Sequence, residues 1–509
     1  MADHQAATDF DVLIVGAGLS GIGAAAHLTM QCPDKSFAIL EQRADMGGTW
    51  DLFRYPGIRF DTDVFTMGYR FKPWRNAKTL ADGADVQAYI CDTAAEHGII
   101  PKIRFGHKVL SSEWSSADAR WTVTTQRDSD GSTVIFTANF LYMAAGYYDY
   151  DTGYRPEFPG EEDYTGQFVH PQHWPESLDY SGKTVVVIGS GATAITLVPA
   201  MAETAKKVTM LQRTPTYLFP VTQKNRLDAL LQKFMTASSA HAITRWWNIR
   251  FQRLSFGMAR KNPERVKQQL LKLARERLPA DYPNFEKDFV PPYNPWDQRM
   301  CAVPEDDLYT VIADGRAEIV TDHIDHFTTN GIKLKSGREL AADIVVVATG
   351  LNLVTLGKTK LSVDGNPVRI SEHFNYKGAM YSDIPNMVSI FGYVNASWTL
   401  KADIVADYVC RLLKVMDAKG AKIANPKLGQ TDMPRLPFVS DFSSSYFARS
   451  FDNLPVNGDR HPWRVIQDYQ AEKKILTKDA VDDGVLVFSN PTASAGAAND
   501  GVAESVAAE

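Results

Sequence analysis

A β-branched strand that runs directly into a glycine-rich turn constrains this chain more than any other feature, and the chain has two of them. In the first, FDVLIVGAGLSG, the residues Gly16, Gly18 and Gly21 form a GxGxxG motif before an Ala-rich helix. A second apolar strand, FAIL, ends on Glu41, 20 residues beyond the last glycine. Such glycines let backbone N–H groups approach a pyrophosphate at a helix N-terminus, and the acid accepts hydrogen bonds from ribose hydroxyls. The pattern predicts a βαβ dinucleotide-binding unit; the alternative is a turn chosen only for tight packing.

The second turn, VVVIGSGATAITL, has Gly189, Gly191 and Ala194 at the same three positions. The strand that follows, KKVTMLQRTPT, carries no acid at its end, and Arg213 and Thr214 stand near that place. A carboxylate there would repel a 2′-phosphate, whereas a guanidinium binds one through charge-assisted hydrogen bonds. The first turn therefore suits an adenine dinucleotide without the phosphate, and the second suits NADPH. The alternative for Arg213 is a surface arginine at a strand end.

Two dinucleotide sites in one chain predict hydride transfer between their ligands, and one ligand must then be a flavin. We predict an α/β fold with two Rossmann-like dinucleotide-binding domains, one for FAD and one for NADPH, and an inserted helical subdomain. Gly146 and the pair Thr349 and Gly350 follow strands at whose ends the chain would cross between domains, close to a ligand; the alternative is that they are plain strand–turn boundaries. The predicted boundaries are 1–150 and 352–490 for the FAD-binding domain, 151–218 and 299–351 for the NADP-binding domain, 219–298 for the helical insertion, and 491–509 for a disordered tail.

Composition is that of an ordinary globular protein, and 509 residues are enough for two or three domains. A net charge of −6 gives no reason to expect nucleic acid as a partner. The four cysteines are too far apart for a CxxC pair or a zinc site, which fits a reducing, cytoplasmic setting. The N-terminus, MADHQAATDF, lacks the features of a secretory signal, and no apolar run reaches the roughly 18 residues that would span a bilayer.

Two longer motifs carry a family resemblance. Between the glycine turns, YTGQFVHPQHWP matches a fingerprint of the form FxGxxxHxxxW followed by proline or aspartate, with tyrosine at its start. Its matching residues are Tyr164, Gly166, His170, Trp174 and Pro175. The second motif, GGTWDLFRYPGIRFD, begins with Gly47, Gly48, Thr49 and Trp50, has Tyr55, Pro56 and Gly57 in its middle, and ends on Asp61. On these residues the chain resembles the type I Baeyer–Villiger flavin monooxygenases over about residues 8 to 490, and YNPWDQR, LQRTPTY and NASWTLKAD are similar to the ethionamide-activating branch of that family. The resemblance implies that Gly48, Thr49, Trp50 and Asp61 contribute to a flavin site.

The resemblance implies an enzyme that binds FAD and NADPH, activates O2 as a C4a-peroxyflavin, and converts ketones to esters or lactones, with sulfide or thioamide oxidation as a side activity. It implies that Arg299 keeps the oxygen adduct ionised, that Asp61 is its carboxylate partner, and that Asn395 lies near the flavin. Gln298 stands where many members carry a lysine for the 2′-phosphate, so Arg213 would carry more of the preference for NADPH. The alternatives are an N- or S-hydroxylating flavin monooxygenase and a flavin redox sensor without turnover.

His170 and His173 have the HxxH spacing of some metal sites, but Pro171 opposes the helix that would align them. No metal site is therefore expected, and His170 is expected to orient the segment between the two domains.

The stretch 224–278 carries 13 basic residues against three acidic ones, with amphipathic helical spacing. We expect a solvated helical lid whose aromatic residues Trp246, Trp247, Phe251 and Phe256 pack inward. The alternative is a basic amphipathic helix that rests on an anionic membrane surface.

Overall fold

The structure is a computed structural model that describes residues 8–74, 78–430, 432–439, 447 and 449–491. Of the predicted tail, 491–509, all but Pro491 lies outside the described residues. The described chain is an α/β protein with two separate sheets that each contain a parallel core, which confirms the predicted fold class.

The described helices are α1 Leu19–Gln31, α2 Thr49–Leu52, α3 Val64–Met67, α4 Gly83–Glu96, α5 Ala192–Met201, α6 Arg226–Leu231, α7 Ala237–Lys261, α8 Pro263–Arg275, α9 Phe285–Phe289, α10 Asp307–Ala313, α11 Trp398–Lys419 and α12 Tyr469–Thr477. The described strands are β1 Thr8–Val15, β2 Phe37–Leu40, β3 Ile103–Arg104, β4 His107–Ser115, β5 Arg120–Arg127, β6 Thr133–Met143, β7 Tyr148–Gly153, β8 Gln167–Val169, β9 Thr184–Ile188, β10 Lys207–Gln212, β11 Leu218–Val221, β12 Cys301–Pro304, β13 Ala317–Thr321, β14 Ile324–Thr328, β15 Gly331–Leu334, β16 Glu339–Ala341, β17 Ile344–Val347, β18 Leu351–Leu353, β19 Lys360–Val363, β20 Asn366–Val368, β21 Asn375–Tyr376, β22 Met380–Tyr381, β23 Met387–Ser389, β24 Ile423–Pro426 and β25 Leu486–Ser489.

The first sheet contains the first glycine turn. Its strand order is β20-β19-β4-β5-β6-β1-β2-β3, and β23 pairs with the C-terminal part of β6. The strands β23, β6, β1, β2 and β3 are parallel, as a Rossmann-like unit requires. Val12, Ile14 and Ile39 are fully buried, because both faces of these parallel strands are covered. This is why the strands are continuous apolar runs in the sequence. The turn between β1 and α1 therefore lies at the carboxyl edge of this parallel core, where dinucleotides bind.

The second sheet contains the second glycine turn and is parallel throughout, in the order β13-β10-β9-β17-β8. Its central strands, TVVVI and IVVV, are almost entirely buried between helices α5 and α10 on one side and the antiparallel β14-β15-β16 meander on the other. The two chain crossings between the sheets pair with each other, because β7 and β18 form an antiparallel ribbon. This ribbon joins the strand ends that carry Gly146 and Gly350.

The inserted segment consists of helices α6 to α9, flanked by the paired strands β11 and β12. The expectation that its aromatic residues pack inward is wrong for three of the four: Trp246, Trp247 and Phe251 are 53%, 51% and 58% exposed. Only Phe256 is half-buried, with its ring 5.5 Å from that of Trp296. The reason is that α7 turns its polar side toward the protein. Among the described residues, no helix is both long enough and apolar enough to cross a membrane.

Candidate functional site

Both glycine turns open into one cavity of about 1100 Å³. The predicted site residues that line it are Gly16, Gly18, Glu41, Gly48, Thr49, Trp50, Asp61, Gly146, His170, Gly189, Gly191, Arg213, Thr214, Arg299, Thr349 and Gly350. The predicted residues that do not line it are Gly21, Tyr164, Gly166, Trp174, Pro175, Ala194 and Asn395. The structure thus brings residues from almost the whole length of the chain to one volume, and separates those that face ligand space from those that support it.

The first turn presents the N-terminus of α1 to the cavity. Gly18 is the N-cap of this helix and provides no side-chain cap, so the first N–H groups of α1 remain for an anion. Gly21 has a different task, because a Cβ on it would lie 1.8 Å from the carbonyl oxygen of Gly16. That glycine allows α1 to pack against the end of β1, which is why it lies outside the cavity.

Glu41 lies at the end of β2 and is 4% exposed. Its carboxylate accepts hydrogen bonds from the backbone N–H of Ala17 at 2.7 Å and of Arg43 at 2.9 Å. Burial raises the pKa of this carboxyl above its ordinary value, against the effect of the two backbone donors. The side chain is therefore held rigidly at the cavity wall, with acceptor capacity left for hydroxyl groups of a ligand.

The N-terminus of the 22-residue helix α11 also reaches the cavity. Ser397 and Thr399 line it, are 1% and 0% exposed, and have hydroxyl oxygens without a hydrogen-bond partner among the described residues. Ser397 is the N-cap residue but forms no side-chain cap, so capping does not account for its hydroxyl. Asn395 instead donates to the backbone carbonyl of Gln467 at 3.1 Å. The polar groups aimed into the cavity at this end are Ser397 and Thr399 rather than Asn395.

Arg299 and Asp61 form an ion pair inside the cavity. The guanidinium Nη2 lies 2.8 Å from one carboxylate oxygen of Asp61 and 3.1 Å from the other. Both side chains are about one-third exposed, at 32% and 30%. Thr216 Oγ1 donates a hydrogen bond of 3.3 Å to the backbone carbonyl of Arg299. This bond ties down the segment just before strand β12, which carries the arginine. The result is a fixed cation that is open to the cavity on one side and neutralised on the other.

Helix α7 contacts the segments on both sides of this pair. Asn248 and Gln252 donate to the carboxylate of Asp63 at 2.9 and 2.7 Å. At the other end of the helix, Arg260 donates to Asp297 at 2.7 Å. The polar face of α7 thus contacts the loops that carry Asp61 and Arg299.

At the second turn, Gly191 is the N-cap of α5 and again provides no side-chain cap. Arg213 is exposed at the end of β10 and forms no ion pair within the described part of the chain. Ser190 Oγ donates to the backbone carbonyl of Thr214 at 2.9 Å, which ties the turn to the end of β10. Gln298 lines the same cavity. An uncompensated guanidinium beside a free helix N-terminus is suited to a phosphate-bearing ligand.

The fingerprint residues support the link between the domains. Tyr164 donates a hydrogen bond from its hydroxyl to the backbone carbonyl of Ala342 at 3.0 Å. The Trp174 ring lies 6.4 Å from that of Tyr180, and both pack against the apolar core between the second sheet and α5. His170 reaches the cavity and lies so close to Gly153 that a Cβ there would be 1.9 Å from its ring carbon Cε1. Burial lowers the pKa of His170 below its ordinary value. The histidine is therefore a neutral ring packed against the β7 crossing.

The cavity also contains residues that the sequence motifs do not indicate. The Arg449 guanidinium lies over the Tyr154 ring, 3.6 Å from its centroid, and burial lowers the pKa of this arginine. Tyr148, whose hydroxyl lies 2.8 Å from that of Tyr147, lines the wall between the two turns. Neither residue type stands in a recognisable local pattern, so only the tertiary fold reveals them.

Several known proteins are similar to this chain in sequence or in fold. Residues 76–282 match the model of the flavin-binding monooxygenase-like family, and residues 14–81 match that of an NAD(P)-binding Rossmann-like domain. The chain is 48% identical over 491 residues to the FAD-containing monooxygenase EthA of Mycolicibacterium smegmatis, which covers 96% of this chain and 99% of that protein. It is 49% identical over 486 residues to the putative FAD-containing monooxygenase MymA of Mycobacterium tuberculosis, and this match covers 94% of this chain and 97% of MymA. The solved structure of an oxidized steroid monooxygenase bound to NADP superimposes with a TM-score of 0.75 over 95% of this chain and 100% of that one, at 21% identity. The chain therefore belongs to the family of FAD-containing, flavin-binding monooxygenases.

Proposed function

We propose that this flavin monooxygenase binds FAD at the first turn and NADPH at the second, and inserts one oxygen atom of O2 into ketones to form esters or lactones. The overall balance is ketone, O2, NADPH and H+ giving ester, NADP+ and water. The observation that carries the proposal is the Arg299–Asp61 ion pair, which lies in the cavity that both turns share.

The residues at the first turn fit FAD by their chemistry. The uncapped N-terminus of α1 suits a pyrophosphate, and the Glu41 carboxylate suits ribose hydroxyls. Ser397 and Thr399, with the N-terminus of α11 between them, suit the polar edge of a flavin ring. Their buried hydroxyls have no hydrogen-bond partner among the described residues, and burying such a group without a partner costs free energy. A ligand that forms hydrogen bonds with them would remove this unfavourable free energy.

The residues at the second turn fit NADPH. The N-terminus of α5 suits the pyrophosphate, and the exposed Arg213 suits the 2′-phosphate. Gln298 can donate a hydrogen bond to that phosphate but adds no charge, so Arg213 supplies the discrimination against NADH.

When bound, NADPH supplies two electrons and the flavin supplies the activation of O2. The role of the chain is electrostatic. Arg299 stabilises negative charge that develops on oxygen beside it, because its guanidinium stays ionised and the surrounding site is partly withdrawn from water. Asp61 holds the guanidinium in one position so that little reorganisation is needed during the reaction.

A panel of ketones and sulfides, each incubated with the protein, FAD and O2 and with NADPH or NADH, tests the proposal. We expect esters or lactones from at least one class of ketone, sulfoxides in lesser amount, and faster turnover with NADPH. H2O2 is measured in parallel to separate oxygen transfer from wasted reduction. Sulfoxides without any ester would favour a sulfur-oxidising enzyme instead, and flavin binding without NADPH consumption would favour a redox sensor.

A further inference from the structure

The outward side of helix α7 is apolar, although it faces solvent. Ile243, Trp246, Trp247, Phe251, Leu254 and Met258 are between 42% and 65% exposed, and we call them the apolar face. They follow spacings of three and four residues, so they form one continuous stripe along the helix. Leu230 and Phe234, near the end of the preceding helix α6, are also exposed, at 52% and 80%.

The apolar face has no role in the core of this protein, because the polar side of α7 is the one that packs inward. Thr244 and Arg245 are buried, and Arg245 donates to the backbone carbonyls of Phe65 and Gly68. Asn248 and Gln252 bind Asp63. An ordinary surface helix has the opposite arrangement. Large apolar side chains that are kept in contact with water across several turns mark a surface that another apolar phase covers.

The charge carried by α7 itself is positive. Its 25 residues contain no Asp or Glu. Arg253 and Arg260 are paired with Asp468 and Asp297, whereas Arg250 and Lys261 are exposed without an ion pair among the described residues. The Arg250 guanidinium lies over the Trp246 ring, 4.3 Å from its centroid, and it forms no ion pair within the described residues. A cation stacked on a tryptophan beside an apolar stripe matches the boundary between lipid head groups and acyl chains. This local charge is opposite in sign to the net charge of −6 of the whole chain.

We propose that the apolar face binds this protein to the surface of an anionic lipid membrane, with α7 lying in the plane of the interface. A second copy of the chain is a poorer occupant, because a twofold contact would bring the same positive helix from each subunit face to face without a compensating carboxylate on it. A bilayer with anionic head groups offers an apolar phase to the aromatic rings and negative charge to the arginines.

Flotation with vesicles is the first test. The full-length protein with FAD is mixed with phosphatidylcholine vesicles that contain about one-third phosphatidylglycerol, or with pure phosphatidylcholine vesicles, at low and high salt. We expect flotation with the anionic vesicles, at least tenfold less with the neutral ones, and a decrease as salt screens the arginines. Equal flotation with both vesicle types, or none with either, would overturn the proposal.

Variants assign the binding to the apolar face. Trp247→Ser combined with Phe251→Ser should reduce binding to anionic vesicles at least tenfold, and Arg250→Glu should reduce it more than fivefold. The matched controls are Leu110→Ser, which removes an exposed apolar side chain elsewhere, and Arg316→Glu, which reverses an exposed charge elsewhere. Neither control should change binding, and no variant should change NADPH consumption in the absence of vesicles. Controls that lose as much binding as the face variants would refute the assignment.

Two further measurements separate folding defects and self-association from membrane binding. Brominated lipid should quench part of the tryptophan fluorescence of the wild-type protein, and Trp246→Phe with Trp247→Phe should remove that quenching while the other eight tryptophans still fluoresce. Sedimentation velocity without lipid should give the same oligomeric state for the wild type and the face variants. A face variant that dissociates an oligomer and retains flotation would show that a second copy, not a membrane, covers this surface.

Discussion

Arg299 and Asp61 are 238 residues apart in sequence, and their side chains meet at 2.8 Å in a cavity that also contains both glycine turns. Asp61 is the last residue of the motif GGTWDLFRYPGIRFD, and Arg299 precedes strand β12 after the helical insertion. Each side chain remains about one-third exposed, so the pair is open to a ligand rather than sealed in a core.

Replacement of Arg299 should uncouple reduction from oxygen transfer. Arg299→Ala should lower ester formation by about 100-fold or more, as loss of a donor to a developing oxyanion does. NADPH consumption should continue, with H2O2 as its main product, and both are measured in one assay. Arg120→Ala breaks a more exposed ion pair, with Asp9, outside the cavity and should leave the ester yield unchanged. Full ester formation by Arg299→Ala would contradict the assigned role.

Coenzyme preference should depend on Arg213. Arg213→Ala should raise KM for NADPH about tenfold or more, since a charge-assisted hydrogen bond contributes about 1.5–3 kcal/mol, and should leave KM for NADH almost unchanged. Gln298→Lys should act in the opposite direction, because it adds a cation that lines the same cavity. Steady-state kinetics with both coenzymes measure the two effects. Equal changes in KM for NADPH and NADH would argue against a 2′-phosphate site at Arg213.

Stability should fall below about pH 6.5 through His170. Burial lowers the pKa of this histidine in the folded state, so the unfolded chain binds more protons once the pH drops through the ordinary histidine pKa of 6.5. The free energy of unfolding is therefore unaffected by this group at pH 7.5 and decreases toward pH 5.5. His170→Asn, which keeps an acceptor for the Gln172 N–H, should show a smaller decrease in urea titrations. His326→Asn is the exposed control, and an unchanged pH dependence for His170→Asn would refute the prediction.

Glu41→Gln should separate cofactor binding from stability. Burial raises the pKa of Glu41 in the folded state, so the unfolded chain releases this proton first and the free energy of unfolding falls as the pH rises above the ordinary carboxyl pKa. Glutamine removes this buried charge but keeps only one of the two acceptor oxygens for the Ala17 and Arg43 N–H groups, so the variant without FAD should unfold at a temperature close to that of wild type. Its affinity for FAD should still fall about tenfold or more, because it loses a charged acceptor for ribose hydroxyls. Glu113→Gln, on the exposed side of β4, should alter neither property.

Local patterns predicted the two βαβ units, Glu41 and Arg213 because each depends only on residues close in sequence. The glycine spacing and the strand periodicity fix where a turn lies relative to its own sheet, and the structure confirms both units. The family suggested by the longer motifs is likewise confirmed by relatives that are 48–49% identical over almost the whole chain. The individual roles of the site residues stay predictions for the experiments above.

Long-range features did not follow from the sequence alone. The approach of Arg449 to Tyr154 joins residues almost 300 positions apart, and no local periodicity encodes it. The amphipathic spacing of α7 revealed two faces but not which face is inside. Asp63 and the carbonyls of Phe65 and Gly68 decide that, because they offer acceptors to Arg245, Asn248 and Gln252. Asn395 and Ser397 show the same limit at short range, since one backbone turn determines which of two neighbours faces the ligand space.

The inner contacts of α7 connect the two loops that carry Asp61 and Arg299. Gln252 donates a hydrogen bond to Asp63, which is two residues after Asp61, and Arg260 donates one to Asp297, which is two residues before Arg299. Between its contact residues Gln252 and Arg260 a helix rises about 12 Å, at about 1.5 Å per residue. Because a helix has a fixed length between these two contacts, we expect a tilt of α7 to change the distance between the Asp61 carboxylate and the Arg299 guanidinium.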